Sequence, residues 1–308
     1  MLRPASRSAT SIWISCPSSG MHSRKIYRLK LRSRTLILGE RTLVMGVLNV
    51  TPDSFSDGGK FFGLEKAVEA AFAMQRNGAD IVDIGAESTR PGSHGISAAE
   101  ELARLLPVLE ALRGKLKIPI SVDTQKSSVA ELAIGAGAEI LNDISGLKYD
   151  PRLAEVAARH KVPLILMHMR GTPHTMQHKP FAKDVLKDVT AGLRESLRVA
   201  RRAGVAKSQI VLDPGIGFGK SWAQNYELLA NLPTLAKLGH PLLIGTSRKS
   251  FLGATLGEKG KPLPPEKRIW GSAATVAASI LGGAHIVRVH DVCEMVQVCR
   301  VTDQILRA

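Results

Sequence analysis

Eight short apolar runs recur along the chain at intervals of roughly 35 residues, the length of one strand plus one helix, and this repeat limits the fold more than any other feature. The runs are 42–50 (TLVMGVLNV), 79–85 (ADIVDIG), 118–123 (IPISVD), 138–144 (AEILNDI), 162–169 (VPLILMHM), 209–214 (QIVLDP), 241–246 (PLLIGT) and 285–290 (HIVRVH). Near-continuous apolar runs suit parallel strands buried on both faces. Helical patterns fill the gaps: Leu64, Ala67, Val68, Ala71 and Phe72 make one stripe, and similar stripes lie at 97–113, 183–203 and 292–306. Gly78, Gly137, Gly204 and Gly239 stand where helices should end. Eight such units predict a single α/β domain over 41–308, a closed (β/α)8 or TIM barrel. An open doubly wound sheet fits less well, because the units run on without a break. Residues 259–268 (KGKPLPPEKR) read as a loop insertion.

The 42 Lys and Arg against 27 Asp and Glu give a net charge of +15, which taken alone points to a polyanionic partner. Residues 1–40 hold eight of those bases and one acid, Glu40, leaving 34 basic against 26 acidic residues for the rest. The segment reads as a basic N-terminal extension, disordered in part: a transit-like sequence, or the product of a start codon upstream of a true start at Met21. With only 13 aromatic residues and the excess charge gathered at one end, a basic nucleic-acid-binding module is the weaker, non-enzyme alternative. Cys16, Cys293 and Cys299 make neither a disulfide framework nor zinc spacing. No apolar run reaches the roughly 18 residues needed to span a bilayer. A cytoplasmic protein with no membrane or nucleic-acid partner is expected.

In a parallel barrel the active site lies at the C-terminal ends of the strands. Nearly every run here ends in polar residues: Asn49, Asp83, Asp123, Asn142 with Asp143, His168, Asp213, the quartet 246–249, and Arg288 with His290. A single Asp in that position is more often a helix cap, as Asp150 before Pro151 should be. Eight converging polar ends instead predict a site. Arg288 and His290 are two residues apart, so they share a face and predict one cationic patch for phosphate; the plainer alternative is an ion pair of Arg288 with Asp83 or Asp291. Asn49 offers an amide oxygen to a hard cation such as Mg2+. Asp123 and Asp213 can share a proton, hold a metal or accept from a ligand rich in N–H groups, and spacing alone does not choose. Lys249 has three readings: Schiff-base nucleophile, hydrogen-bond donor or solvated charge. Residues 215–221 (GIGFGKS) only superficially resemble a P-loop, because Pro214 occupies the first glycine position. Their glycines should let the backbone bend toward a ligand, with Phe218 free to stack. Loops 51–62 and 86–95 have the makeup of mobile active-site loops.

Taken together, NVTPDSFSDGG (49–59), ESTRPGS (87–93), SVDT (121–124), ILNDISG (140–146), LMHMRGTP (166–173), DPGIGFGK (213–220), GTSRKSF (245–251) and RVHDV (288–292) resemble the dihydropteroate synthases, folate-pathway enzymes that sulfonamides inhibit. The likeness runs from 42 to about 305 with the motifs in family order, departing at Ala86, where the family often has glycine. It implies condensation of 6-hydroxymethyl-7,8-dihydropterin diphosphate with 4-aminobenzoate to 7,8-dihydropteroate and pyrophosphate, with no covalent protein nucleophile. Carried over position by position, it implies that Asp123, Asn142, Asp213 and Lys249 bind the pterin. It further implies that Asn49, Thr89, Arg90, Arg288 and His290 bind the diphosphate, Asn49 also facing Mg2+, and that Thr89, Pro91, Phe218, Lys249 and Ser250 bind the aminobenzoate. A homodimer follows from the resemblance as well, and the lack of a fused pterin pyrophosphokinase segment suggests a stand-alone bacterial enzyme. A methyltetrahydrofolate-binding methyltransferase is the rival; it shares the Asp/Asn/Asp set but has no use for a diphosphate site.

Overall fold

The computed structural model describes residues 24–51, 59–90, 92–176, 182–258 and 260–308, with 59–62 described by backbone only. A two-stranded antiparallel hairpin, β1 (Tyr27–Lys30) and β2 (Thr35–Leu38), precedes eight parallel strands: β3 (Leu43–Asn49), β4 (Ile81–Gly85), β5 (Ile120–Asp123), β6 (Ile140–Asp143), β7 (Leu164–Met167), β8 (Ile210–Asp213), β9 (Leu243–Ile244) and β10 (Ile286–Val289). Each falls within one of the eight apolar runs. Their order is β8-β7-β6-β5-β4-β3-β10-β9, and a parallel bridge between Leu212 and Leu242 brings β8 back against β9. That bridge closes the barrel and disposes of the open sheet.

Helices follow the strands around the outside: α1 (Gly59–Arg76), α2 (Ala98–Leu112), α3 (Ser127–Gly135), α4 (Leu153–His160), α5 (Val185–Arg202), α6 (Trp222–Ala230), α7 (Leu232–Ala236), α8 (Ser250–Leu256), α9 (Ile269–Leu281) and α10 (Val292–Arg307). The stripe on α1 does what its spacing requires, with Ala67 and Ala71 fully buried beside Leu64, Val68 and Phe72. Ser97 caps α2 by accepting from the Glu100 N–H, and a Ser221/Gln224 capping box starts α6, fixing where the loops after β4 and β8 end. Gly78, Gly137, Gly204 and Gly239 all take left-handed backbone at the helix exits. Among the described residues no helix is long and apolar enough to cross a membrane.

Residues inside the barrel are set by strand alternation. Met45, Ile81, Ile140, Ile165, Val211, Leu243 and Ile286 form an apolar layer, and Leu29, Leu31 and Leu38 of the hairpin seal it from below. Fully burying a leucine contributes about 1.5–3 kcal/mol, so this plug is a structural part of the domain. The part of the N-terminal segment from residue 24 on is thus packed against the barrel. The Arg24 guanidinium, buried, donates to Thr42 Oγ1 (2.6 Å), the Ala284 carbonyl (2.8 Å) and Asp303 Oδ1 (2.5 Å). Arg34 donates to the Lys117 carbonyl (2.5 Å), and Ser33 is tied to Glu139 (2.9 Å). Part of the charge ascribed to a basic tail is thus committed to internal bonds. Met21 and Cys16 lie outside the described residues.

Candidate active site

One layer above the apolar ring, the same alternation turns a set of polar side chains inward. Asp83 stands two residues past Ile81, Asn142 past Ile140, Asp213 past Val211 and Arg288 past Ile286, while Asp123 is in register with Asn142. These five form the floor of a cleft at the strand C-termini. Arg288 Nε donates to Asp83 Oδ2 (2.6 Å) and its Nη2 to Asp123 Oδ2 (2.9 Å); Asn142 Nδ2 donates to the same Asp83 Oδ2 (3.0 Å). Asp83 Oδ1 is buried and has no hydrogen-bond partner among the described residues.

The neighbouring polar ends point elsewhere, as adjacent residues in a strand must. Asp143 turns outward and accepts from Ser145 N and Oγ and from Leu147 N, closing a turn. His168 faces α5, where a side chain at Gly192 would collide with its ring. Both are structural, so two of the predicted convergent ends leave the site. Asp150 does not cap the helix after it, whose N-cap is Arg152 with no side-chain cap; it accepts instead from Ser127 N and Oγ at the start of α3.

Electrostatics distinguish the floor carboxylates from surface ones. Burial pushes Asp123 up to about 7, against the pull of Arg288 and with help from Asp83. Burial also raises Asp213, against Lys249 and the Gly215 N–H that donates to it. Lys249 moves the other way, lowered by burial to about 8 with Asp213 opposing. Its Nζ donates to the Ile216 carbonyl and lies 4.5 Å from the centre of the Phe218 ring. Phe218 itself rests on Ile144, Met167, Met169 and Met176. The single cationic patch predicted for Arg288 and His290 requires correction. His290 is lowered to about 4 by burial and then by Arg288, so it is neutral at pH 7, with Nδ1 3.2 Å from Ser247 Oγ. Arg288 alone carries charge there, and the ion pair with Asp83 weighed against it does form.

Two of the glycines of 215–221 sit tight against protein backbone, while Gly217 packs against the Lys249 side chain. A Cβ on Gly215 (φ 68°) would lie 1.9 Å from the His168 carbonyl oxygen, and one on Gly219 (φ 68°) 2.4 Å from that of Arg170. Lys220 is buried and donates to the carbonyls of His168 and Gly215 (both 2.8 Å), which is no way to hold a phosphate. Asn49 ends β3 half-buried on the inward register; Thr89 is half-buried and Arg90 exposed on the loop after β4. Among the described residues, neither Thr89 nor Arg90 hydrogen-bonds to a floor side chain. Ser250 is exposed at the start of α8. Pro91 and most of the loop 51–62 lie outside the described residues. Reading the sequence left two features unassigned. Asp83 was a strand-end residue without a role. Lys126 Nζ, buried, holds Glu87 and Glu101 (2.5 Å each), which anchors the base of the loop bearing Thr89; a lysine two residues past the SVDT motif was the available signal.

The model of the family described as "Pterin binding enzyme" matches residues 45–290. The dihydropteroate synthase of Synechocystis sp. is 50% identical over 269 residues, 87% of this chain and 92% of that protein. The chain belongs to the dihydropteroate synthase family. A solved structure of the Xanthomonas albilineans dihydropteroate synthase with 4-aminobenzoic acid superposes with a TM-score of 0.84 at 42% identity, covering 92% of this chain and all of that one. The Yersinia pestis dihydropteroate synthase in a sulfonamide drug complex gives 0.83 at 44% identity, over 90% and 98% of the two chains. The family's barrel is therefore the fold found here.

Proposed function

We propose that this chain is a dihydropteroate synthase, condensing 6-hydroxymethyl-7,8-dihydropterin diphosphate with 4-aminobenzoate to 7,8-dihydropteroate and pyrophosphate. The observation that carries the reading is the floor itself: a buried Asp123, Asn142 and Asp213 with Lys249 near Asp213, and beside them the Arg288 guanidinium, held through Nε and Nη2 by Asp83 and Asp123. Carboxylates and an amide in a dry pocket match the amino, ring N–H and oxo groups of a pterin. Arg288, Asn49, Thr89, Arg90 and neutral His290 serve the diphosphate; Thr89, Pro91, Phe218, Lys249 and Ser250 serve the aminobenzoate, with Phe218 offering its ring face.

The C–O bond between the pterin methylene and the diphosphate breaks first. Its electron pair leaves with the pyrophosphate, and the positive charge is delocalised into the pterin. The aminobenzoate nitrogen then attacks the methylene and loses a proton. Arg288 meets charge that grows as the leaving group departs, so it stabilises the transition state more than the ground state. Lys249 donates to a backbone carbonyl and feels the charge of the pterin-side acid Asp213, which suits a donor to the pterin.

A bound Mg2+ would neutralise the diphosphate. The Asn49 amide oxygen, half-buried at the end of β3, would be this chain's ligand to the ion. A homodimer is part of the proposal, supported by Val301 and Ile305, exposed apolar side chains one turn apart on α10. So is a reducing, cytoplasmic setting, with which the free thiols Cys293 and Cys299 agree. The methyltransferase alternative has no comparable use for Arg288.

The test is pyrophosphate release from the pterin diphosphate by the purified protein, with and without 4-aminobenzoate and Mg2+. Release matched by dihydropteroate formation, requiring both and blocked by a sulfonamide, is the expected result. Folded protein that binds a pterin yet turns nothing over, or that transfers methyl groups to a corrinoid protein, would overturn the reading.

A further inference from the structure

Asp83 has no task in the motifs carried over from the resemblance, yet it is the most deeply buried member of the floor, with no exposed surface at all. One of its oxygens, Oδ2, accepts from both Arg288 Nε and Asn142 Nδ2. It thus joins β6, on the pterin side of the proposed site, to β10, on the diphosphate side. Arg288 is gripped by two carboxylates from adjacent strands, Asp83 on β4 and Asp123 on β5. These grips differ in kind. Asp123 is the residue a pterin would occupy; Asp83 lies beneath and is reached only by protein.

A guanidinium is a rigid plane with five N–H donors. When a ligand's N–H groups take over Asp123, the Nη2 donor is released, and only a hold on Nε keeps the plane from turning away with it. We infer that Asp83 is a positioning residue: by fixing Arg288 Nε and the Asn142 amide on one oxygen, it makes pterin occupation of Asp123 free the Nη donors of Arg288 for the diphosphate. The two halves of the substrate are then sensed together. This rests on the reading of Arg288 and Asp123 given above.

The experiment is Asp83→Asn, which keeps the shape and removes the charge. Expected are a fall in kcat of at least 20-fold, a KM for 4-aminobenzoate within twofold of normal, and binding of magnesium pyrophosphate weakened at least 10-fold in calorimetry. The pH profile supplies a readout that a merely structural residue would not move. Asp123 is influenced by Arg288 on β10, Asp83 on β4, Glu101 on α2 and Asp143 on β6, the last three all raising it. Removing the Asp83 charge removes one raising influence, so the acid limb of kcat/KM should move to lower pH. Folded Asp83→Asn enzyme with the original limb and the original pyrophosphate affinity would overturn the inference. Should Asp83→Asn not fold, Asp83→Ser is assayed with and without formate; restored turnover supports the role and its absence removes it. A parent enzyme that neither binds magnesium pyrophosphate nor turns over fails the functional reading and the inference together, whereas an active parent with an unaffected variant fails the inference alone.

Discussion

The two ends of the barrel are made by the same strands with the same alternation, and they are opposites. At the bottom, seven inward side chains are apolar, the Leu29–Leu31–Leu38 plug excludes water, and the one buried charge pair nearby, Arg24 with Asp303, has its partners supplied by Thr42 and Ala284. At the top, three carboxylates share two cations, Asp83 keeps a buried oxygen without a partner among the described residues, and Asp123 is held near 7. Buried polar groups cost stability unless satisfied. The bottom is therefore built for stability, while the top keeps buried carboxylates, Asp123 and Asp213, whose oxygens a ligand's N–H groups can engage.

Substitutions at the top should cost turnover and leave the fold standing. Arg288→Ala and Asp123→Ala are each expected to lower kcat/KM by at least 100-fold in steady-state assays, with the melting temperature of Asp123→Ala close to the parent's; near-normal turnover by either would break the contrast. The bottom should behave in reverse. Leu38→Ala removes a fully buried side chain from the plug and should cost about 2–5 kcal/mol of unfolding free energy in urea titrations, with kcat of the folded enzyme unchanged.

A third, smaller effect is set by pH. Asp123 must be ionised to accept from a pterin, so kcat/KM should fall about tenfold per unit below roughly pH 7, and decline again above about 8 as Lys249 loses its proton. A flat profile from pH 5 to 9 would sever the acid pair from the chemistry. The smallest effect is on stability. Asp213 has a raised pKa in the fold, so its ionisation penalises folding above the unfolded value and costs nothing below it. Asp213→Asn should consequently raise the melting temperature at pH 8, by about 2–4 °C for each kcal/mol relieved, and lose that advantage as the pH falls below the ordinary carboxylate range. An Asn variant less stable than the parent at pH 8 would mean that Lys249 and the Gly215 N–H more than compensate the burial of Asp213.

Much of this contrast was legible without coordinates. Near-continuous apolar runs and the 35-residue repeat located all eight strands, and polar residues at their C-terminal ends pointed to the candidate site. The motifs around Asp123, Asn142, Asp213, Lys249 and Arg288 then suggested its chemistry. Less legible was the hairpin. Its buried leucines, Leu29, Leu31 and Leu38, are spread among basic residues, a pattern too short to separate a folded plug from a basic tail. His290 was misread for a related reason. Same-face spacing gives direction, whereas the charge of an imidazole depends on how much water and how many cations surround it.

What the sequence by itself determined about this protein is the barrel, its single domain from β3 onward and the ring of strand ends where chemistry would occur, because strand period and repeat length are local properties of the chain. Only the tertiary structure decided which of Asn142 and Asp143 faces inward, that His168 and Lys220 serve the wall, and that Asp83 and Asp123 divide Arg288 between them. Those outcomes depend on register and on distances across a closed sheet, between residues as far apart in sequence as 83 and 288, and no local pattern encodes them.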